Sequence, residues 1–318
     1  MTPISVPDQD VRTPVRPPRL RPGDRVVVVA PSGPVEPAHL EAGIAVLRGW
    51  GLDVVPGRHV LDRHPELDHL AGRDVDRARD LQQAWCDPSV AAVICARGGY
   101  GAQRITGLLD WDAMRAAGPK VFVGYSDITV LHEAIATRLG LATVHGPMPG
   151  TAAFAREPRA QDHLRRTLFE PETVREISSD AAAGLVPGRA RGVTIGGCVS
   201  LLAADLGSPA ARPSAAGGIL LLENVHVEPY RLDRSLTQLL NSGWLDGVAG
   251  VACGSWHDSG PYEPLRAVLR DRLAPLGVPV VEELGFGHCP EPLTVPLGVP
   301  AVLDAGAATL TFEVPALA

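Results

Sequence analysis

The sequence predicts an α/β fold in two parts: an N-terminal domain built on a parallel sheet, then a mixed, β-rich α/β C-terminal domain. Three observations lead there. The chain has 318 residues, too many for one compact core and a comfortable length for two domains. From about residue 24, short apolar runs alternate with helical patterns, the βαβ rhythm of a parallel sheet covered on both faces. After His145-Gly146-Pro147 that rhythm stops, and from Gly188 shorter strand signals take over.

The first strand is Arg25-Val26-Val27-Val28-Val29-Ala30, a β-branched run with no polar alternation, as a strand buried on both faces requires. A helix follows over about Pro37 to Trp50, with Leu40, Ile44 and Leu47 on one face and Gly51 as its stop. Leu52 to Val55 is a strand, Val75 to Trp85 a helix, Val90 to Cys95 a strand, and Gly101 to Leu109 helical. Val121 to Val123 is a fourth strand, Asp127 to Leu139 its helix, ended by Gly140, and Leu141 to Val144 a fifth strand. Residues 151–187, rich in Ala, Arg, Glu and Pro, read as a connector with one amphipathic helix near Gln161 to Leu168. Beyond it, strands are expected at Ala190–Ile195, Gly218–Leu222, Val248–Cys253, Val278–Val281, Ala301–Leu303 and Thr309–Phe312. Helices are expected at about Ser200–Leu206, Tyr230–Leu240 and Glu263–Leu273. The domains are therefore 21–150 and 188–318. Residues 1–20, Pro- and Arg-rich, read as a disordered tail.

Composition narrows the function. Hydrophobic residues make up 45% and charged residues 20%, with a formal net charge of −7. No basic block favours a nucleic acid or an anionic membrane as partner. The first residues lack the apolar centre of a signal peptide, and no apolar stretch approaches the ~20 residues of a membrane span. The 5 cysteines form no CxxC pair, which disfavours both a disulfide framework and a cysteine zinc site and fits a reducing cytoplasm. No HExxH motif is present, so neither metal nor cofactor is expected.

In an open parallel sheet, ligands bind beyond the carboxyl ends of the strands. That rule selects the loops Pro31-Ser32-Gly33-Pro34, Ala96-Arg97-Gly98-Gly99-Tyr100-Gly101 and Tyr125-Ser126-Asp127. Ser126 reads two ways. Serine is a favoured helix N-cap, although Thr129 rather than Glu or Gln stands three residues on, so no capping box forms. Alternatively, Gly124 permits a tight strand-to-helix turn that exposes the hydroxyl and aims the Asp127 N–H at the same spot, the logic of a nucleophile elbow. The glycine loop lacks both the GxGxxG spacing and the P-loop lysine. It is either a structural turn or a source of free N–H groups for an anion. Glu223 ends the apolar run Gly218–Leu222, where a carboxylate is costly unless paired; alone, it would read as a strand-end surface charge. His288 sits among the glycines of Gly285-Phe286-Gly287-His288.

In order along the chain, Arg97-Gly98-Gly99-Tyr100-Gly101, Gly124-Tyr125-Ser126-Asp127, His145-Gly146-Pro147-Met148, Gly196-Gly197, Leu221-Leu222-Glu223, Glu228-Pro229-Tyr230-Arg231-Leu232-Asp233-Arg234, Gly287-His288 and Pro296-Leu297-Gly298 resemble the LD-carboxypeptidases, serine peptidase family S66. The resemblance covers roughly residues 24 to 305. It implies a triad with Ser126 as nucleophile, His288 as general base and Glu223 as the group that orients the imidazole, with an oxyanion hole from the N–H groups of Asp127 and Gly99. It also implies an N-terminal parallel α/β domain and a β-rich C-terminal domain with the cleft between them. The activity implied is removal of the terminal D-alanine from a murein tetrapeptide during peptidoglycan recycling, by a cytoplasmic homodimer whose partner is a small peptide. A second branch of the family, the microcin C immunity type, cleaves aminoacyl-nucleotide conjugates. An inactive binding protein of the same fold is a third reading, which the intact Ser126, Glu223 and His288 oppose. Two positions depart from the family pattern: Cys198 where Asn is frequent, and Asn224 where an acidic residue is common. Arg97, Arg231 and Arg234 are candidates to grip the substrate's terminal carboxylate, since a guanidinium fork matches both oxygens.

Overall fold

The computed structural model describes residues 14–318. Two sheets organise it. The first has six strands in the order β12 (Val295–Leu297), β5 (Thr143–His145), β4 (Val121–Gly124), β3 (Val90–Cys95), β1 (Arg25–Val29) and β2 (Asp53–Pro56). The strands β1 to β5 run parallel, and β12 closes the edge antiparallel to β5, with Val295 opposite His145. The valine run behaves as its composition demands. Val26 and Val28 pack into one core with Ile94, Val121 and Val123, while Val29 packs on the other face with Val93, Phe122 and Trp85. Helices α1 (Pro37–Gly49), α2 (Asp74–Cys86), α3 (Ala102–Ile105), α4 (Trp111–Ala117) and α5 (Thr129–Leu139) cover the two faces. Two further helices, α6 (Ala152–Arg156) and α7 (Pro158–Phe169), add Phe154, Leu164 and Leu168 to the first of these cores.

The second sheet has eight strands in the order β6 (Glu176–Ile177), β14 (Thr309–Phe312), β13 (Pro300–Asp304), β8 (Arg189–Cys198), β9 (Gly218–Glu223), β10 (Gly250–Cys253), β11 (Val280–Glu282) and β7 (Ala183–Val186). Its centre, β8 to β11, is parallel, and the flanking strands are antiparallel. Helices α8 (Val199–Asp205), α9 (Pro229–Asn241) and α10 (Tyr262–Leu273) bury Leu202, Leu232, Leu236, Leu239, Leu265 and Leu269 on one face.

Three expectations are corrected. Residues 14–20 are not a loose tail: Val15 bridges Leu141, Arg16 Nη1 donates to Pro315 O at 3.0 Å, and Leu20 is buried in the first core. Proline-rich chain is preorganised for extended edge positions, where a missing N–H costs nothing. Residues 1–13 of the expected tail lie outside the described residues. Within the expected connector, β6 and β7 are strands of the second sheet; they are short edge strands that draw their pairing from backbone rather than from an apolar run. Finally, β12 belongs to the first sheet although it lies inside the span expected for the C-terminal domain, and Ala316 and Leu317 pack in the first core.

Candidate active site

Three loops meet beyond the carboxyl ends of β1, β3 and β4, and one side chain ties them together. Asp127, 2% exposed, accepts from Ser32 Oγ at 2.5 Å and from the Ala102 N–H at 2.8 Å. Burial pushes its carboxyl up from the usual range, and those two hydrogen bonds pull it back. Arg77, fully buried on α2, clamps two of the same loops by donating to Gly101 O at 2.9 Å and to Pro31 O. Ser126 sits in this frame with φ +66°, a left-handed conformation that costs a residue with a Cβ about 1–2 kcal/mol. The turn is held because Gly98 leaves room for it: a Cβ at 98 would stand 2.8 Å from Ser126 Cβ and 3.0 Å from its Oγ. The Asp127 nitrogen is 3.4 Å from that same point, and Gly99 lines the same cleft as Ser126.

The second sheet supplies the opposite wall. Glu223 ends β9 with no exposed surface, and its Oε2 lies 2.5 Å from His288 Nδ1. Gly287 allows this approach, since a Cβ there would stand 2.5 Å from Glu223 Oε2. The His288 ring lies against Tyr125, centroids 4.8 Å apart. The other carboxylate oxygen, Oε1, has no hydrogen-bond partner and faces His145 Nε2 at 3.9 Å. Burial pushes His145 down to about 3, so it stays neutral at physiological pH.

The walls are fastened to each other. Thr129 Oγ1 donates to Ser126 O at 2.7 Å and accepts from Cys198 N at 3.0 Å. Gly196 N donates to Glu133 Oε1 at 3.0 Å, while Arg212 pairs with the other oxygen. The two positions that depart from the family pattern touch, Cys198 Sγ lying 3.5 Å from Asn224 Oδ1. Burial pushes that thiol up to about 12.

Ser126, Gly99, Arg97 and His288 line one open cleft of ≈ 600 Å³, together with Tyr125, Met148 and His226. Among the proposed carboxylate grips, Arg97 alone lines it, held by a 2.7 Å hydrogen bond to Pro34 O. Arg231 and Arg234 lie instead on α9 over the exposed Tyr230 ring, and Arg231 pairs with Glu228 at 2.8 Å. Nearness to Glu223 in sequence misleads there, because the chain turns at 225–228 before α9 begins. The Asp127 carboxylate, Arg77, Thr129 and His145 were missed as functional groups. Asp127 and His145 stand in motifs that give no role to these side chains, Thr129 reads only as the residue that breaks a capping box, and Arg77 carries no local motif.

A parallel sheet offering a hydroxyl on a strand-to-helix turn, and a second sheet offering a carboxylate–imidazole pair to the same cleft, define the class of a two-domain α/β hydrolase. The chain belongs to the LD-carboxypeptidase family, peptidase family S66: residues 26–146 match the family's N-terminal domain and residues 191–303 its C-terminal domain. A carboxypeptidase-named protein of Streptomyces coelicolor is 68% identical over 303 residues, covering 95% of this chain and 97% of its own. The murein tetrapeptide carboxypeptidase of Pseudomonas aeruginosa is 33% identical, covering 88% of this chain and 93% of its own. Among solved structures, the muramoyltetrapeptide carboxypeptidase of Oxalobacter formigenes is 30% identical with a TM-score of 0.76, covering 91% of this chain and 97% of its own. MccF in complex with glutamyl sulfamoyl guanosine has a TM-score of 0.84 at 21% identity, covering 96% and 100%, and shares the fold. Among the described residues no helix is long and apolar enough to cross a membrane.

Proposed function

We propose that the protein is a serine carboxypeptidase that hydrolyses the L,D-peptide bond before the terminal D-alanine of murein tetrapeptides, acting in the cytoplasm as a homodimer. The observation that carries this reading is His288, hydrogen-bonded to the buried Glu223 and lining the same cleft as the left-handed Ser126. A serine hydroxyl is a weak nucleophile and needs a base beside it. His288 takes its proton as Ser126 attacks the carbonyl carbon of the third residue. Glu223 holds the ring through Nδ1, which leaves Nε2 as the basic atom, and stabilises the imidazolium that forms. The N–H groups of Asp127 and Gly99 receive the oxyanion. His288 then returns the proton to the departing D-alanine nitrogen, and water hydrolyses the acyl-enzyme by the same steps reversed in role. Arg97, among the cleft's lining residues, holds the terminal carboxylate.

The relatives' names support a murein peptide as substrate. A nucleotide conjugate would need a ring free to stack on its base. Tyr125, the one aromatic besides histidine among the cleft's lining residues, has its ring packed between His288 and His145. Mass spectrometry of a murein tetrapeptide and of an aminoacyl-nucleotide, each incubated with the protein and with Ser126→Ala, tests the reading. Release of D-alanine by the wild type alone is the expected result. Cleavage confined to the nucleotide conjugate would overturn it.

A further inference from the structure

Glu223 is a carboxylate with no exposed surface, and among the described residues His288 is the group bonded to it, through Oε2. Its Oε1 is buried without a partner. Across 3.9 Å stands His145, 1% exposed, whose Nε2 and Nδ1 are equally without partners. Buried polar atoms are paired almost everywhere in proteins, and a buried charge with one oxygen unanswered is among the costliest exceptions. Among the described residues no other group answers either side chain. The His145 ring is walled by Tyr125, Phe286 and His132, with ring centroids 5.8, 5.9 and 6.4 Å away. His132 spends both of its nitrogens elsewhere, on Thr143 Oγ1 at 2.8 Å and on Gly124 O at 2.9 Å. Glu223 Oε1 and His145 Nε2 are therefore left to each other.

A neutral imidazole carries one proton, and burial keeps this ring neutral at physiological pH. With the proton on Nδ1, a buried N–H would have no acceptor and the Nε2 lone pair would face a carboxylate oxygen. With the proton on Nε2, a donor faces Oε1 and a single lone pair is left over. The second arrangement costs less, because one unmet acceptor is milder than an unmet donor beside an unmet charge. We propose that His145 is a positioning residue for the triad: its Nε2–H closes on Glu223 Oε1, so that the carboxylate is held between two imidazoles. Closure takes a relative shift of about 1 Å, to an ordinary N–H···O length, and neither atom gives up a bond to make it. The neutrality of the donor matters for the chemistry. A lysine or arginine there would neutralise the carboxylate, whereas a neutral N–H fixes the plane of Glu223 and leaves its charge to stabilise the imidazolium of His288. The bond also crosses between sheets. His145 pairs with Gly124 in β4, two residues before Ser126, while Glu223 ends β9 of the second sheet. It thereby aligns the carboxylate and imidazole of one sheet with the nucleophile of the other. The assignment rests on the carboxypeptidase reading.

Steady-state kinetics on a murein tetrapeptide with two variants test it: His145→Gln, whose amide N–H reaches about as far as Nε2, and His145→Met, of equal length with no donor. His145→Met should lower kcat by about tenfold or more, the worth of a hydrogen bond to a charged group, with KM nearly unchanged. His145→Gln should restore most of that loss. In a Glu223→Gln background the methionine should cost far less than in the wild type, because its effect passes through the carboxylate. Equal losses for glutamine and methionine, or losses that simply add to that of Glu223→Gln, overturn the role and leave the carboxypeptidase reading standing. Nitrogen NMR of the wild type labelled with ¹⁵N-imidazole histidine, the His145 signals assigned by their loss in His145→Gln, reads the bond without any turnover. A proton on Nε2 at neutral pH is expected, and a proton on Nδ1 overturns the proposal. If the wild type releases no D-alanine, the carboxypeptidase reading fails, and the position of that proton decides the His145–Glu223 bond on its own. The same measurement decides it if the methionine variant does not fold.

Discussion

The carboxyl edges of the two sheets flank one cleft and are finished differently. At the first edge, Asp127 has a hydroxyl and an N–H on its carboxylate, and Ser32 and Thr129 bond neighbouring loops. At the second edge, Glu223 Oε1, Ser255 Oγ, Trp256 Nε1 and Glu283 Oε1 are buried without partners. A satisfied network makes a rigid frame, and an unsatisfied one is costly unless substrate or a moving proton completes it. Around Asp127 the first edge is therefore a bonded frame, with unpartnered buried atoms only at its margins on Arg77 Nε and His145, while at the second edge they stand on the side chains at the strand ends themselves.

The comparison is broken most severely by removing either partner across the cleft. Ser126→Ala and His288→Ala should each lose up to about six orders of magnitude in kcat, and the double variant little more, because the groups act as a unit. Glu223→Gln should cost about ten-thousand-fold. Near-normal turnover of a folded Ser126→Ala protein would mean that another group attacks the carbonyl.

Loosening the first edge should do less. Asp127→Asn can still accept from Ser32 and Ala102, which both bond Oδ2, but only with its NH₂ in the place of Oδ1 and with both bonds reduced from charge-assisted to neutral. A loss of about 1–3 kcal/mol is expected, the cost of a disrupted buried hydrogen bond, together with a fall in kcat larger than any rise in KM. Urea unfolding and kinetics on one preparation check both, and a KM-only effect would remove Asp127 from the frame.

Arg97→Met should raise KM for the tetrapeptide about tenfold, the value of one charge-assisted hydrogen bond of about 1.5 kcal/mol, and leave a C-terminally amidated peptide far less affected. The same change at Arg231 or Arg234 should do almost nothing. Equal losses on both peptides for Arg97→Met would shift the grip to backbone N–H groups.

The smallest effects concern pH, where the two regions pull oppositely. Burial holds His132 at about 4 and His145 at about 3. Protons therefore bind the unfolded chain first, and stability falls as pH drops below about 6.5. Glu283 is pushed up to about 7 by burial and then by Glu282, with His257, Asp258, Tyr262 and Cys289 also around its cavity. Its stabilising proton is present below the unfolded value of about 4.3 and is lost as pH rises through about 7. Glu283→Gln removes that second slope. Its stability should rise between pH 5 and 7.5 by about 1–2 kcal/mol more than that of the wild type. Parallel curves in urea titrations at four pH values would show that Glu283 does not titrate as its surroundings imply.

Much of this was legible in the sequence because both sheets are built on parallel cores of continuous apolar runs. Val26–Val29, Val90–Cys95 and Ile219–Leu222 announce buried strands, and the chemistry follows at their carboxyl ends. What stayed hidden was whatever depends on distant backbone. The helix α4 was overlooked although Asp110 caps it by accepting from the N–H groups of Asp112 and Ala113. The edge strands β6, β7 and β12 are only 2 to 4 residues long, too short for a period to show. Asp127 was read only for its N–H, because no spacing along the chain connects it to Ser32 or Ala102. Ser255, Trp256 and Glu283 carry no motif at all, and only the unpaired atoms of the folded chain reveal them.

The position of β12 has a consequence for how the protein is made. The first sheet emerges from the ribosome with β5 as an open edge, and that edge is capped only when Val295–Leu297 arrives about 150 residues later. The last residues then lock the N-terminal stretch, with Ala318 N donating to Pro17 O at 2.9 Å. During synthesis the nascent first half therefore carries an unpaired strand edge of the kind that invites aggregation, and a fragment ending before residue 295 would keep it. Completion of that sheet waits for Val295–Leu297, so the sheet that carries Ser126 is finished only after His288 has been delivered.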